Sequence, residues 1–167
     1  HGTIADGEVR GNVKADIRKF TYNNYTYQDL QINGNYEPQR FTGHFHINDP
    51  HLSMAFDGVV DMHEKNPEAN FNLLCRHFDS SPLGIKAIDD KLSTRFSLAV
   101  DLTGDTPDEM SGYLAIDSLF VGTVRDSILM QQLTLLVSAD ELQGKAFTLR
   151  SDFLSAQADG VFRYGDL

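Results

Sequence analysis

Apolar side chains recur at every second position along much of this chain. Between residues 52 and 62 they hold the even positions, while Ser53, Asp57 and Asp61 hold odd ones. A period of two places successive side chains on opposite faces of a β-strand. Each such strand therefore has one apolar and one polar face, and it belongs in a sheet that is sheltered on one side only.

The same alternation occupies four further segments, at residues 41–47, 71–75, 94–102 and 133–137. Clusters of Asn, Asp, Gly and Pro separate the segments at spacings typical of hairpins or a meander. Helical spacing is nearly absent. The pattern predicts an all-β fold of about ten antiparallel strands. At most one or two short helices are expected, with a candidate helical turn at residues 85–91.

The apolar positions of these strands are predicted to share one interior, which is either a sealed core or an open groove. We expect His44, His46 and Asp57 to lie on the opposite, polar face. The predicted interior residues are Phe41, Phe45, Ile47, Leu52, Met54, Phe56, Val60, Phe71, Leu73, Phe96, Leu98, Val100, Leu133, Leu135 and Val137.

Two irregularities interrupt the alternation. A loose repeat, apolar-x-apolar-x-Gly-x-apolar, begins at Leu30, Met54 and Ala156. A glycine on the apolar face allows a neighbouring backbone or a ligand to approach closely, and tight coiling of the sheet is the favoured explanation.

Nearer the start of the chain, the apolar positions change from odd to even numbers. A bulge near Arg18–Lys19 is predicted to cause that change.

Composition limits the classes of function. The chain has 167 residues, 41% of them hydrophobic, which suits one β-domain over residues 1–167. Its net charge of -10 has the wrong sign for binding nucleic-acid phosphates. No apolar run approaches the roughly 20 residues that span a bilayer, and the single cysteine excludes an internal disulfide. Because the chain starts at His1, we expect it to be a segment of a longer protein.

Two groups of polar residues resemble metal or catalytic sites. His44 and His46 lie on one face of a strand near Asp49, but their spacing matches no specific metal motif. Cys75 and His77 are expected on one side of a strand, yet Cys75 continues an apolar row and is interpreted as a small core residue. No P-loop, nucleophile elbow or dinucleotide-binding glycine motif occurs. We therefore predict no catalytic residue, no metal, no cofactor and no enzymatic activity.

An aromatic group surrounds the pair Asn23–Asn24. Phe20 and Tyr22 precede this pair, and Tyr25 and Tyr27 follow it. Asn tolerates positive φ, so a two-residue hairpin turn is predicted, with the aromatic side chains paired across its strands. A sugar-stacking platform is the less favoured alternative, since the chain has no tryptophan.

Several segments resemble the repeats of a known family. Residues 25–36, 41–45 and 48–61 are similar to repeats of the TamB and AsmA-like proteins, particularly the very long ones of the Bacteroidota. Residues 149–153 and 158–162 resemble the end of the same unit. The likeness covers most of the chain and consists of loose alternations.

The resemblance implies an elongated, twisted antiparallel sheet curled into a U-shaped groove, whose apolar interior holds phospholipid acyl chains. Proteins of this family are anchored in the inner membrane by an N-terminal helix and cross the periplasm, so a periplasmic location is implied. They are linked to phospholipid transport toward the outer membrane and to assembly or secretion of outer-membrane proteins. An outer-membrane assembly protein is therefore implied as a further partner of the parent chain.

Two other interpretations stay open at this point. A closed, lipocalin-like barrel with one small apolar ligand has a suitable length and strand number, but the Gly-x-Trp sequence usual in that family is absent. A non-catalytic adhesive β-module would bind a protein or glycan through its polar face or its tyrosines. The groove is favoured over both.

Overall fold

The computed structural model describes residues 2–5, 8–63, 67–81, 91–106, 108–140 and 144–161. Strands make up most of these ranges and form a single antiparallel sheet, as the alternation predicts. The strands are β1 (Gly2–Ala5), β2 (Glu8–Tyr22), β3 (Tyr25–Glu37), β4 (Arg40–Asp49), β5 (Leu52–Asp61), β6 (Glu68–Asp79), β7 (Ser93–Thr103), β8 (Ser111–Gly122), β9 (Ser127–Asp140), β10 (Gly144–Ser151) and β11 (Ser155–Gly160).

The order of the strands in the sheet is their order in the chain, from β1 to β11. The described part of β1 pairs with β2 alone and that of β11 with β10 alone, so the sheet is open and the closed-barrel alternative is wrong. The candidate helical turn at residues 85–91 lies outside the described residues, except for Lys91, which is not helical. The described ranges include no helix of the length and apolarity needed to cross a membrane.

One layer of sheet makes up the described structure. Contacts between strands join only neighbours in the strand order. The described strands therefore form one sheet and supply no second sheet to pack on its apolar side.

Strand register brings the apolar residues into rows that cross the sheet. Residues directly opposite each other in an antiparallel pair point to the same face. One row contains Ile32, Phe45, Phe56, Leu73, Leu98, Ile116 and Leu133. The next contains Gly34, Gly43, Gly58, Phe71, Val100, Leu114, Leu135 and Leu149.

The apolar face is the concave one. Phe56 is only 8% exposed and Val100 only 6%, although no second layer covers them. On the other side of the same strands, Asp57 and Leu74 are exposed. Side chains on a single-layer sheet become buried in this way when the sheet curls and crowds them together. The sheet is thus a curled groove with its apolar face inside.

A ladder of glycines allows the sheet to coil tightly. Gly34, Gly43 and Gly58 lie directly opposite one another on β3, β4 and β5. A Cβ atom on Gly43 would lie 2.4 Å from the Gly34 Cα, and Gly43 has a φ of +154°, which side-chain-bearing residues rarely adopt. Neighbouring backbone therefore fills the space beside this glycine, as the coiling explanation requires. Gly160, in the third copy of the repeat, has nothing within 4 Å.

The change of face in β2 does not involve the bulge that was predicted at Arg18–Lys19. Ile17 pairs with Leu30 and Lys19 with Gln28, so the register is the same on both sides and no residue is inserted. Asp29, which lies opposite Arg18, instead adopts a left-handed conformation with a φ of 47°. This residue lies where the apolar positions change from odd to even numbers in both β2 and β3, with no shift of register between the two strands.

True bulges occur elsewhere in the sheet. In β6, Phe78 lies three positions after Cys75, while their partners on β7 are only two positions apart. The extra residue interrupts the alternation, so the expectation that Cys75 and His77 share one side of a regular strand is wrong. A second register shift lies in β8, where Ser118 has a φ of 55°.

Replacement of Gly43 by alanine tests the glycine ladder. We expect Gly43→Ala to lower the free energy of unfolding by at least about 3 kcal/mol, because its Cβ would collide with backbone that cannot move aside. Gly160→Ala is the matched control, since it adds a Cβ at a φ of +137° with open space around it. Its expected cost is about 1 kcal/mol. Urea unfolding followed by circular dichroism measures both, and equal losses would contradict the steric explanation.

Candidate functional site

The candidate site is the apolar face, defined as the four rows of paired residues that pass through Phe41, Gly43, Phe45 and Ile47. All fifteen residues predicted to share an interior lie on this side of the sheet. Four of them are buried: Ile47, Phe56, Val100 and Val137. The others are half-buried: Phe41, Phe45, Leu52, Met54, Val60, Phe71, Leu73, Phe96, Leu98, Leu133 and Leu135.

The apolar face carries no charge across its described width. From β3 to β10, none of the four rows includes an Asp, Glu, Lys or Arg residue within the described ranges. Charged residues such as Asp57, Asp101 and Arg150 pair across the opposite side of the sheet. A surface of this kind favours neutral hydrocarbon over a charged ligand.

Four aromatic rings occupy the part of the apolar face formed by β4, β5 and β6. We call Phe41, Phe45, Phe56 and Phe71 the phenylalanine cluster. The ring of Phe56 lies 5.3 Å from that of Phe45, 5.3 Å from that of Phe71 and 5.9 Å from that of Phe41, measured between centroids. These distances are those of rings in direct contact, so Phe56 is the centre of the cluster.

Strands β7, β8 and β9 form a second part of the apolar face, which has no ring in its two central rows. Its central residues are branched aliphatics, which we call the aliphatic patch: Leu98, Val100, Leu114, Ile116, Leu133 and Leu135. All of these except Val100 are half-buried. Part of each side chain therefore remains open to whatever occupies the groove.

A buried carboxylate lies at the end of β4, on the apolar side of the sheet. Asp49, at the end of β4, is 2% exposed. Its carboxylate accepts hydrogen bonds from the Tyr25 hydroxyl at 2.5 Å, from the Gln28 backbone N–H at 3.0 Å and from the His51 backbone N–H at 2.9 Å. These bonds tie β3 to the turn between β4 and β5. Burial, followed by the hydrogen bond to Asp49, raises the pKa of Tyr25 to about 12.

A second carboxylate at a strand end also accepts backbone hydrogen bonds from another strand. The Asp152 carboxylate follows the last residue of β10 and accepts hydrogen bonds from the backbone N–H groups of Gln131 and Gln132 on β9. Asp152 is exposed, in contrast to Asp49. Sequence analysis assigned neither carboxylate this role. Asp49 is the last residue of β4, and Asp152 directly follows β10.

Cys75 and His77 do not form a nucleophile–base pair in this structure. Cys75 is 1% exposed, and its burial raises the pKa of the thiol, so the unreactive protonated form is favoured. Its Sγ contacts the Thr94 carbonyl oxygen at 3.9 Å. His77 places Nε2 3.1 Å from the Asp49 backbone carbonyl oxygen, across the turn. Cys75 therefore packs as a core residue.

The histidines on the polar face line a shallow depression of about 340 Å³ with Asp57, Asn72 and Leu74. His44 lies directly opposite Asp57, and His46 lies opposite Ala55. Among the residues that the structure describes, no group of three or more His, Cys, Asp or Glu side chains is arranged to hold a metal ion.

The predicted aromatic hairpin is present. Asn23 and Asn24 have φ values of 49° and 64°, as a two-residue turn of this type requires. Phe20 stacks on Tyr27 across the strands with a centroid distance of 4.8 Å. Tyr25 meets Tyr27 edge-on, also at 4.8 Å. Tyr25 and Tyr27 thus pack on each other, and Tyr25 also contacts Asp49 at the end of β4.

Comparison of the chain with models of protein families, with curated proteins and with solved structures finds no match.

Replacement of the strand-end carboxylates measures their separate roles. Asp49→Ala leaves three donors without their acceptor, so we expect a loss of about 3 to 5 kcal/mol in the free energy of unfolding. Asp152→Ala removes an exposed acceptor, and water replaces it, so the expected loss is about 1 kcal/mol. Chemical unfolding of both variants provides the comparison. A loss at Asp49 no larger than that at Asp152 would contradict the role given to the buried carboxylate.

The raised pKa of Tyr25 predicts a stability change in alkaline solution. The pKa is about 12 in the folded state against an ordinary value of 10.0. The stabilisation from the Tyr25 hydroxyl is therefore complete below pH 10 and disappears as the pH rises toward 12. Unfolding measured from pH 9 to 12 should show this loss in the natural chain and a smaller one in Tyr25→Phe. Identical pH profiles for the two proteins would contradict the assignment.

Proposed function

We propose that the apolar face binds phospholipid acyl chains and shelters them from water, as one segment of a conduit that moves lipid across the periplasm between the inner and outer membranes. The observation that carries the proposal is the combination of four uncharged rows with an open, concave, single-layer sheet. In a closed protein core these rows would be covered from above. The described strands form one unclosed sheet and supply no second sheet over these rows.

The energetics of lipid transfer explain why such a groove would suffice. A two-tailed phospholipid exposes about 30 methylenes, and moving it bare into water costs roughly 24 kcal/mol at about 0.8 kcal/mol for each methylene. A barrier of that height corresponds to desorption on the order of 10⁻⁵ per second. A continuous apolar surface removes most of this barrier because the tails never enter water. The proposed function therefore needs no catalytic residue.

The resemblance to TamB and AsmA-like proteins supports the same proposal and supplies its setting. Residues 25–61, which carry most of that likeness, form β3, β4 and β5. These strands contain the glycine ladder and three residues of the phenylalanine cluster, Phe41, Phe45 and Phe56. The segments that suggest the family thus include the closely approaching backbone of the glycine ladder. On this basis we place the segment in the periplasm, within a parent protein anchored in the inner membrane.

Two adjacent leucines on β6 test the proposal. Leu73 lies on the apolar face, opposite Phe56, whereas Leu74 lies on the other side of the sheet, opposite Ala55. An Asp side chain at position 73 would place a charge against the acyl chains, and we expect Leu73→Asp to reduce bound phospholipid at least tenfold. Leu74→Asp should retain it. Lipid extraction and mass spectrometry of the purified chains measure the bound amount.

The fold of the same variants separates a groove from a sealed core. In an open groove the carboxylate introduced by Leu73→Asp is hydrated when lipid is absent, so this variant should keep its strand signal in circular dichroism with a modest fall in melting temperature. Complete unfolding of this variant would indicate a sealed core. Absence of phospholipid from the natural chain, with protein or glycan bound instead, would favour the adhesive module.

A further inference from the structure

We infer that residues 127–132 of β9 form a docking site for an extended peptide of another protein, which adds to the open edge of this strand by backbone hydrogen bonds. The added peptide takes the place that a longer β10 would occupy. This inference is independent of the proposed lipid binding, because it concerns the edge of one strand and not the apolar face.

The sheet has a step where β10 ends before its neighbour β9 does. Pairing between β9 and β10 reaches only Leu133, which lies opposite Ser151, whereas pairing between β9 and β8 continues to Ser127. Within the described ranges, no strand therefore lies along the second edge of residues 127–132. Every second residue of a strand directs its N–H and C=O groups to a given edge, so part of this backbone has no strand partner.

A side chain satisfies the first part of that edge in place of a strand. The Asp152 carboxylate accepts hydrogen bonds from the backbone N–H groups of Gln131 and Gln132. No described side chain or turn supplies a corresponding acceptor at residues 127–130. The backbone of this stretch is therefore open to an incoming strand, whose carbonyl groups would accept hydrogen bonds as the Asp152 carboxylate does beside it.

The side chains beside the open edge are apolar and exposed. Ile128 is 62% exposed and Leu129 is 57% exposed. As neighbours in a strand they point to opposite faces, so an added strand would cover apolar surface on both faces of the sheet. The turn that holds Asp152 also places Phe153, which is 73% exposed, at this end of β9. Apolar contacts would therefore stabilise the same strand that the backbone hydrogen bonds hold.

Another open edge of the sheet carries charges. Within the described ranges β1 pairs only with residues 8–11 of β2, so residues 12–22 have a partner only on β3. That stretch includes Lys14, Arg18 and Lys19, and charged side chains on an edge strand oppose the addition of another strand. Residues 127–132 carry no charge. Of these two open edges, only that of β9 lacks this protection.

The chemistry of this edge defines the partner as an extended peptide with apolar residues at its centre. A charged residue placed beside the edge would lose water without gaining an opposite charge. Strand β8 shows which sequence fits residues 128–130, since Leu119, Phe120 and Val121 lie opposite them on the other edge. The partner segment is therefore expected to present consecutive apolar residues in extended form.

Binding of a synthetic peptide tests the docking site. The probe is a fluorescein-labelled peptide that copies residues 117–122 of β8, and fluorescence anisotropy follows its titration with the purified chain. We expect saturable binding that Leu129→Lys weakens at least tenfold, because a charge then lies on the open edge. Leu136→Lys is the matched control. Leu136 is 50% exposed on the same strand, but it lies opposite Thr148 where β10 already pairs, so its replacement should change the affinity less than twofold.

Two modified peptides separate strand addition from simple apolar contact. One carries N-methyl groups on the backbone nitrogens of the residues that copy Leu119 and Val121, and the other on those that copy Ser118 and Phe120. Alternate N–H groups of a strand point to opposite edges. One peptide should therefore lose binding at least tenfold and the other should keep it. Equal affinities of the two modified peptides, whether kept or lost, would overturn strand addition.

Two further results would also overturn the docking site. One is the absence of saturable peptide binding to the natural chain up to about 1 mM. The other is an equal effect of Leu129→Lys and Leu136→Lys, with both variants folded by circular dichroism. Neither leucine belongs to the four rows of the apolar face, so either failure would leave the proposed lipid binding intact.

Discussion

The whole structure depends on the antiparallel pairing of each strand with its chain neighbours in a register that keeps alternate residues aligned. Because opposite residues in such a pair point to the same face, a two-residue alternation in single strands becomes a continuous surface across many strands. A shift of one residue in one pair would turn a strand's apolar side chains outward. The row from Ile32 through Phe56 to Leu133 shows that the register is kept across seven strands.

Curvature follows from how the apolar face is stabilised without a second layer. A flat single sheet would leave its large side chains in water, and only crowding on a concave side removes them from it. The glycines at positions 34, 43 and 58 permit that curvature because the strands approach more closely there than a Cβ atom allows. The Phe41 ring and the Cβ of Phe71 lie close to the positions that Cβ atoms on Gly34 and Gly58 would take. The glycines without side chains and the bulky phenylalanines therefore occur at the same place in the sheet.

Much of this fold is predictable from sequence because the alternation is a local signal. The strands around Phe45, Phe56 and Leu98, and the face that each presents, follow directly from it. Strand β8 is harder to recognise because the bulge at Ser118 breaks the period in mid-strand. The left-handed conformation of Asp29 is also not predictable from the sequence. A change of face without a change of register gives the same sequence pattern as a bulge.

The residues of the candidate site also differ in whether the sequence alone predicts their roles. Which residues lie on the apolar face depends on periodicity, and periodicity can be read directly from the sequence. The partners of Asp49 come from Tyr25, Gln28 and His51 on other strands or turns, and only the assembled register brings them together.

The agreement between strand order and chain order has a consequence for how such a chain is made and how it lengthens. Each strand needs only the one before it, so contacts stay short in sequence and pairing can proceed stepwise as the chain is synthesised. Stability of such a structure is nearly a sum of neighbouring interactions, as in solenoid repeats. Insertion or loss of one hairpin changes the length of the sheet and leaves the pairing of distant strands intact. A meander of this kind can therefore become longer or shorter while its cross-section stays the same.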